Sequence, residues 1–167
     1  HGGGMDLQAT HHTNEIAQNI AYCGKSPATY WMHTNMLTVN GARMSKSAGN
    51  SFLPLELFSG NHPLLSKGYS PMTVRFFMMQ THYRSTLDFS DEALNGSEKA
   101  FNRLMESYKT LQLLTPSATS SENINELKTK CYEAMDDDFN TPVLIANLFE
   151  AVRIINSAND KKTHLTQ

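Results

Sequence analysis

Asn40-Gly41-Ala42-Arg43-Met44-Ser45-Lys46-Ser47-Ala48-Gly49-Asn50 decides how the chain is read. Met36-Leu37-Thr38-Val39 before it is rich in β-branched and apolar residues and predicts a strand, and Asn40-Gly41 is a strong signal for a tight turn. Small and hydroxyl residues then surround one lysine, which is the composition of a mobile, polyanion-seeking loop. Gly41 and Gly49 bracket it. An ammonium on such a loop can meet charge that develops on a leaving pyrophosphate. A solvated polar loop with an idle lysine is an equally good account of these residues alone.

Upstream, His11 to Ala21 reads as a helix with Ile16, Ala17 and Ile20 on one side, and Tyr30-Trp31-Met32 reads as a strand. Downstream, Leu53 to Phe58 predicts a short helix begun by Pro54 and stopped by Gly60. Ser70-Pro71 supplies an N-cap and a first-turn proline for a helix running to about His82. Its apolar residues Val74, Phe76, Phe77, Met78 and Met79 nearly encircle it, so it is expected to be buried. Ser90-Asp91-Glu92 opens another helix with an acidic first turn, and Phe101, Leu104, Met105, Tyr108 and Leu111 continue it at helical spacing. Thr115 to Ser121 is a polar loop. Ile124, Leu127, Cys131 and Met135 stripe the next helix. Asn140-Thr141-Pro142 caps a last one that carries Val143, Leu144, Leu148, Phe149, Val152 and Ile155. The polar tail after Asn156 is expected to fray. The second half is a helical bundle on this reading.

Composition bounds what such a chain can be. The 167 residues suffice for one domain with a real core, or one and an appendage. Hydrophobic residues at 40% and charged residues at 18% exclude wholesale disorder. No apolar run approaches the roughly 20 residues that span a bilayer, so no membrane partner is expected. Fourteen basic against sixteen acidic residues exclude a global polycation, so any nucleic-acid contact must be local. Two cysteines, Cys23 and Cys131, make no disulfide framework and suit a reducing cytoplasm. The start at His1, without an initiator Met or a secretory segment, suggests that an upstream part is missing.

Arg43-Met44-Ser45-Lys46-Ser47 resembles the KMSKS loop of class I aminoacyl-tRNA synthetases. His1-Gly2-Gly3-Gly4-Met5-Asp6-Leu7, followed by His11-His12-Thr13-Asn14-Glu15-Ile16-Ala17-Gln18, is similar to the block that precedes that loop in cysteinyl-tRNA synthetases. The likeness continues in order through Thr73-Val74-Arg75-Phe76-Phe77-Met78, His82-Tyr83-Arg84-Ser85 and Asp136-Asp137-Asp138-Phe139-Asn140-Thr141-Pro142. It implies a mostly α chain with few strands. Residues 1–50 would finish a class I Rossmann-type catalytic domain, residues 51–90 would form a stem-contact region, and residues 91–167 would form a helical DALR-type tRNA-binding domain.

The resemblance also implies roles. Lys46, with Ser45, Met44, Gly2 and Gly3, would bind ATP, and Lys46 would be the catalytic group at the phosphates. His1 and Asp6 would line the pocket for the amino acid and its adenylate. The family's zinc is held by two cysteines, a histidine and a glutamate; His11 and Glu15 match the last two, and both cysteines are expected upstream of this sequence. From spacing alone, His11 and Glu15 are as well read as a surface pair on one helix face. Zinc would bind a substrate thiol as thiolate and leave a serine hydroxyl unbound, a selection that needs no editing site. Cys23, eight residues beyond Glu15, lies outside the motif and is expected in the core, as are the nine methionines. His12 is read as packed in preference to a helper of the neighbouring ligand, and Trp31 and His33 as filling the sheet in preference to flanking the site. Arg75 and Arg84 either touch the tRNA stem or pair with Asp88 or Asp91.

The implied activity is ATP-dependent formation of cysteinyl-adenylate and transfer to tRNA(Cys), by a cytoplasmic monomer using Mg-ATP. A cysteine-activating ligase with an amino-sugar acceptor, or a non-catalytic tRNA-docking piece, are the alternatives. Two departures from the family pattern stand out: Arg43 replaces its usual first loop lysine, and Thr13 replaces a glutamate beside the histidines. The family's HIGH motif has no counterpart in these residues, so the chain by itself is expected to be inactive.

Overall fold

A computed structural model describes residues 1–166; Gln167, the last residue of the third expected region, lies outside the described residues. The chain forms two compact units. One is His1–Leu53 with Tyr83–Ser90, and the other is Pro54–His82 with Asp91–Gln167.

In the first unit, β1 (Gly2–Gly4) pairs in parallel with β2 (Met32–Thr34). A parallel pair needs a long crossover, and the intervening residues provide a helical one. It consists of α1 (Met5–Leu7), a π-helical turn (Gln8–His12) and α2 (Thr13–Cys23), which ends in left-handed Gly24. The expected helix over 11–21 is thus part of a longer helical run. The strand expected at Tyr30–Met32 begins two residues later.

A second sheet has the order β4-β3-β5, with β3 (Leu37–Val39), β4 (Ala42–Arg43) and β5 (Leu87–Phe89). β3 and β4 are antiparallel, with Val39 opposite Ala42 and Thr38 opposite Arg43. Asn40 and Gly41 between them have φ of 50° and 75°, as a two-residue hairpin turn requires. β5 runs parallel to β3 and sets buried Phe89 opposite buried Val39. Asp88 fastens the arrangement. Its Oδ1 accepts from the Thr38 hydroxyl at 2.6 Å and from the Gly41 N–H at 2.8 Å.

The second unit is helical: α3 (Pro54–Ser59), α4 (Pro71–Met79), α5 (Asp91–Leu113), α6 (Ile124–Asp136) and α7 (Thr141–Asn159). The caps read from sequence are in place: Ser70 accepts from the Thr73 N–H at 3.0 Å and Asn140 from the Val143 N–H at 3.4 Å. α5 packs against α4 and α7, and α6 against α7. Tyr69, Val74, Phe76, Phe77, Leu94, Ile145, Val152 and Ile154 are buried, each contributing about 1.5–3 kcal/mol through apolar burial. Burial, and then its hydrogen bond to Asp91, push the Tyr69 hydroxyl up to about 12.

Four expectations need correction. α4 is not buried all round, because Met72, Arg75 and Met78 form an exposed face. The methionines are not core filling: Met5, Met32, Met36, Met72, Met78 and Met105 are exposed. Cys23 is an exposed residue at the end of α2 rather than a core residue. The polar tail does not fray after Asn156. α7 runs on to Asn159, and the residues beyond fold back, with the Ser117 N–H donating to Leu165 C=O at 2.7 Å and the Ser121 N–H to His164 C=O at 2.9 Å.

The Thr38 hydroxyl, followed by the Gly41 N–H, holds the Asp88 carboxyl below its ordinary value. A folded pKa below the unfolded one adds stability above the unfolded pKa, and that stability is lost as pH falls through the folded pKa. Asp88→Ala is therefore expected to cost about 1 kcal/mol near neutral pH, a charge-assisted pair of bonds discounted for exposure. In melting curves the gap from wild type should close below about pH 4. A gap that persists unchanged into strong acid would show that the carboxylate is not the fastening group.

Candidate functional site

Two groups of candidate functional side chains lie in the first unit. The first is built on β1, β2 and the π-helical turn. The β1–β2 register sets Gly3 opposite His33, and His1 and Trp31 directly precede the paired residues. His12 closes the π-helical turn and is 3% exposed. Its Nδ1 lies 2.8 Å from His33 Nε2, so one ring donates and the other accepts, which leaves Nε2 of His12 for another partner. The His1 ring stands edge-on to His12 at 4.9 Å between centroids and 4.6 Å from Trp31. The Trp31 ring lies nearly parallel to that of His33, at 8° and 6.4 Å between centroids.

Glu15 completes the group. Its carboxylate lies 3.5 Å from His1 Nε2, and one ligand atom from each of His1, His12 and Glu15 falls within 4.8 Å of the others. Two imidazoles and a carboxylate are ordinary zinc ligands, and one of the rings is oriented through its second nitrogen, as metal-ligating histidines usually are. These residues fit a divalent cation. His11, the sequence-predicted partner of Glu15, is exposed, its ring centroid 5.6 Å from that of His12, and it stands outside this trio.

Gly3 explains part of the glycine run. A Cβ there would lie 2.8 Å from Cε1 of His12 and 3.0 Å from Leu7 Cδ1, so the buried ring requires glycine. Asp6 is exposed and folds back over Gly4, where a Cβ would meet Asp6 Oδ1 at 2.3 Å. Trp31 and His33, read from sequence as packing residues, instead form one wall of the histidine group. Their spacing of two on a strand, which puts both on one face, was the available signal.

The second group is the lysine loop. Met44 and Ser45 are half-buried, Lys46 is exposed, and among the described residues Lys46 has no ion-pair partner. The Gly49 N–H donates to Lys46 C=O at 3.1 Å, so Lys46 opens a tight turn. Of the two arginines considered for tRNA, Arg75 makes no ion pair among the described residues. Asp88 is engaged by Thr38 and Gly41, and Asp91 by Tyr69 and Ser66. Within the Asp136–Asp138 run, Asp137 accepts from the Asn140 amide at 3.0 Å and so braces the residue that caps α7.

The fold resembles one seen in the crystal structure of the ternary complex of Agrobacterium radiobacter K84 agnB2 LeuRS, tRNA and LeuAMS. The TM-score is 0.70 at 14% identity, over 96% of this chain and 23% of that one. That likeness is one of fold. Residues 1–99 match the family described as the tRNA synthetases class I (C) catalytic domain, and residues 130–167 match the DALR domain. The chain belongs to the class I (C) tRNA synthetase family. It is 57% identical to a cysteine–tRNA ligase of Bacteroides thetaiotaomicron, over 95% of this chain and 33% of that protein. For the cysteine–tRNA ligase of Parabacteroides distasonis the identity is 53%, over 100% and 34%, and for that of Chlorobaculum tepidum it is 43%, over 96% and 31%. The chain thus spans about a third of the length of these relatives. Among the described residues no helix is long and apolar enough to cross a membrane.

Gly3→Ala is expected to push His12 away from His33 and to destabilise the first unit by about 1–3 kcal/mol, the usual range for overpacking. Imidazole NMR shifts would report the broken pair. Unperturbed His12 and His33 signals would mean that the ring tolerates a methyl group there.

Proposed function

We propose that the chain is the signature-loop portion of a cysteine–tRNA ligase. In the complete enzyme, cysteine and Mg-ATP give cysteinyl-adenylate and pyrophosphate, and the adenylate is transferred to tRNA(Cys). The observation that carries this reading is Lys46, an exposed ammonium with no ion-pair partner among the described residues, at the corner of a turn-rich loop in a chain of this family. A loop of that kind brings the ammonium to the phosphates, with Ser45, Met44 and the Gly2–Gly3 backbone completing the nucleotide side. His1 and Asp6 are assigned to the amino-acid side. Catalysis then rests on positioning and charge stabilisation, with no covalent enzyme intermediate.

Zinc, when bound, supplies a cation that favours the thiolate form of the substrate. Glu15 and His11 are its proposed ligands in this chain, with two cysteines from outside it. The packing of His1 and His12 against Glu15 favours a second set, His1, His12 and Glu15. Both sets use Glu15. The region boundaries at 50 and 90, a monomeric state and a cytoplasmic setting belong to the same proposal. Cys23 and Cys131, both free thiols, accord with a reducing compartment. The relatives named above are tRNA ligases, which favours tRNA over an amino-sugar acceptor.

In the complete ligase, Lys46→Ala is expected to slow cysteine-dependent pyrophosphate exchange about 100-fold or more, with zinc content unchanged. Exchange at the wild-type rate would remove Lys46 from the mechanism. Glu15→Ala should lose zinc by metal analysis. Zinc loss with His11→Ala and not with His12→Ala selects the first ligand set; the reverse selects the second. The 167-residue chain alone should show no exchange.

A further inference from the structure

Asn50 stands at the end of the lysine loop, and its side chain reaches back across it. The Asn50 Oδ1 accepts from the Ser45 N–H at 2.8 Å, and the Asn50 Nδ2 donates to Arg43 C=O at 3.1 Å. An N–H can only donate and a carbonyl can only accept, so the two partners fix which way the amide faces. No other four-heavy-atom side-chain head offers both functions: a carboxylate would set an acceptor against the Arg43 carbonyl, and a leucine would leave both backbone groups unserved. The tie spans both halves of the loop. Arg43 belongs to β4, where it pairs with Thr38, whose hydroxyl is held by Asp88. Ser45 then anchors the interior, its Oγ accepting from the Ala48 N–H at 3.2 Å and lying 3.4 Å from Ser47 Oγ. Between the ties only residues 46–49 are left, closed by the bond from the Gly49 N–H to Lys46 C=O.

The Asn50 amide thereby converts an eight-residue excursion, Arg43 to Asn50, into a short turn on a sheet-bound base, with Lys46 at its first corner. An ammonium stabilises developing charge only where it is held in place when the charge appears, and ordering a free loop at that moment costs conformational entropy. We infer that Asn50 is a positioning residue for Lys46: its two-point clasp pre-forms the signature loop and sets the rate of the step in which pyrophosphate departs. This rests on the function proposed above and adds a residue that acts on the phosphates only through Lys46.

Two measurements test it. In the 167-residue chain, trypsin cleavage after Lys46 reports whether the loop is clasped, whatever its activity. Asn50→Ala should speed that cleavage about tenfold, as losing one or two net hydrogen bonds allows, and Asn50→Gln, which keeps both amide functions, should recover part of the protection. In the complete ligase, Asn50→Ala should lower kcat for pyrophosphate exchange about tenfold with KM for cysteine unchanged, and should add no further loss on a Lys46→Ala background. Additive losses, a change confined to KM, or cleavage at the wild-type rate would each overturn the proposal. A complete wild-type protein that gives no exchange counts against the proposed function, while the cleavage rates still decide the clasp.

Discussion

The pairing of β3 with β5 governs the layout of the first unit. The chain leaves that unit at Leu53, builds α3 and α4, and returns at Tyr83. Closing such a long excursion costs loop entropy, which the short three-residue pairing must offset. Val39 and Phe89 contribute apolar burial, Phe52 lies against Phe89 at 6.3 Å between centroids, and Asp88 joins the returning strand to the hairpin turn. The lysine loop hangs directly from that hairpin. A carboxylate on a strand far along the chain therefore fixes the base of the loop proposed to meet the phosphates.

The histidine group shows a different use of the same economy. His12 has almost no exposure, yet it is polar and ionisable, and a buried polar group needs partners. Its hydrogen-bonding neighbour is His33 from β2, while the ring of His1, just before β1, and the carboxylate of Glu15 from α2 stand beside it. A π-helical turn, rare in proteins and frequent at functional sites, carries His12 into that space, and the Gly3 backbone makes room for the ring. Ring orientation there is set by the scaffold before any ligand arrives.

The helices were legible because their signals are local. Ser70, Asn140 and the prolines that follow them announce their helices within four residues, and the stripes of α5 and α7 repeat often enough to be counted. Asn40-Gly41 likewise announced its turn. β1 was not legible, since three glycines have no strand preference and their partner lies some thirty residues away in the register. β5 was missed because three residues show too little of a strand's period and their partner, β3, lies far back along the chain. At the site, the loop around Lys46 could be read directly, because its chemistry and its spacing are contiguous. The trio of His1, His12 and Glu15 could not: helical counting pairs His11 with Glu15, and only the π-helical turn and the β1–β2 register bring His1 and His12 to that carboxylate. The exposed methionines and Cys23 escaped for a related reason, as residue type alone does not tell which side of an element faces water.

The interleaving of the two units has a consequence for biosynthesis. A ribosome emits residues in order, so β3 and its hairpin emerge well before β5 exists to pair with them, and the segment made in the interval belongs to the other unit. Until Phe89 has cleared the exit tunnel, the strand beside the lysine loop has an open edge, the kind of edge that recruits stray strands. A nascent chain of this design is vulnerable to aggregation in the interval between synthesis of β3 and of β5, and it becomes safer once Leu87-Asp88-Phe89 has arrived.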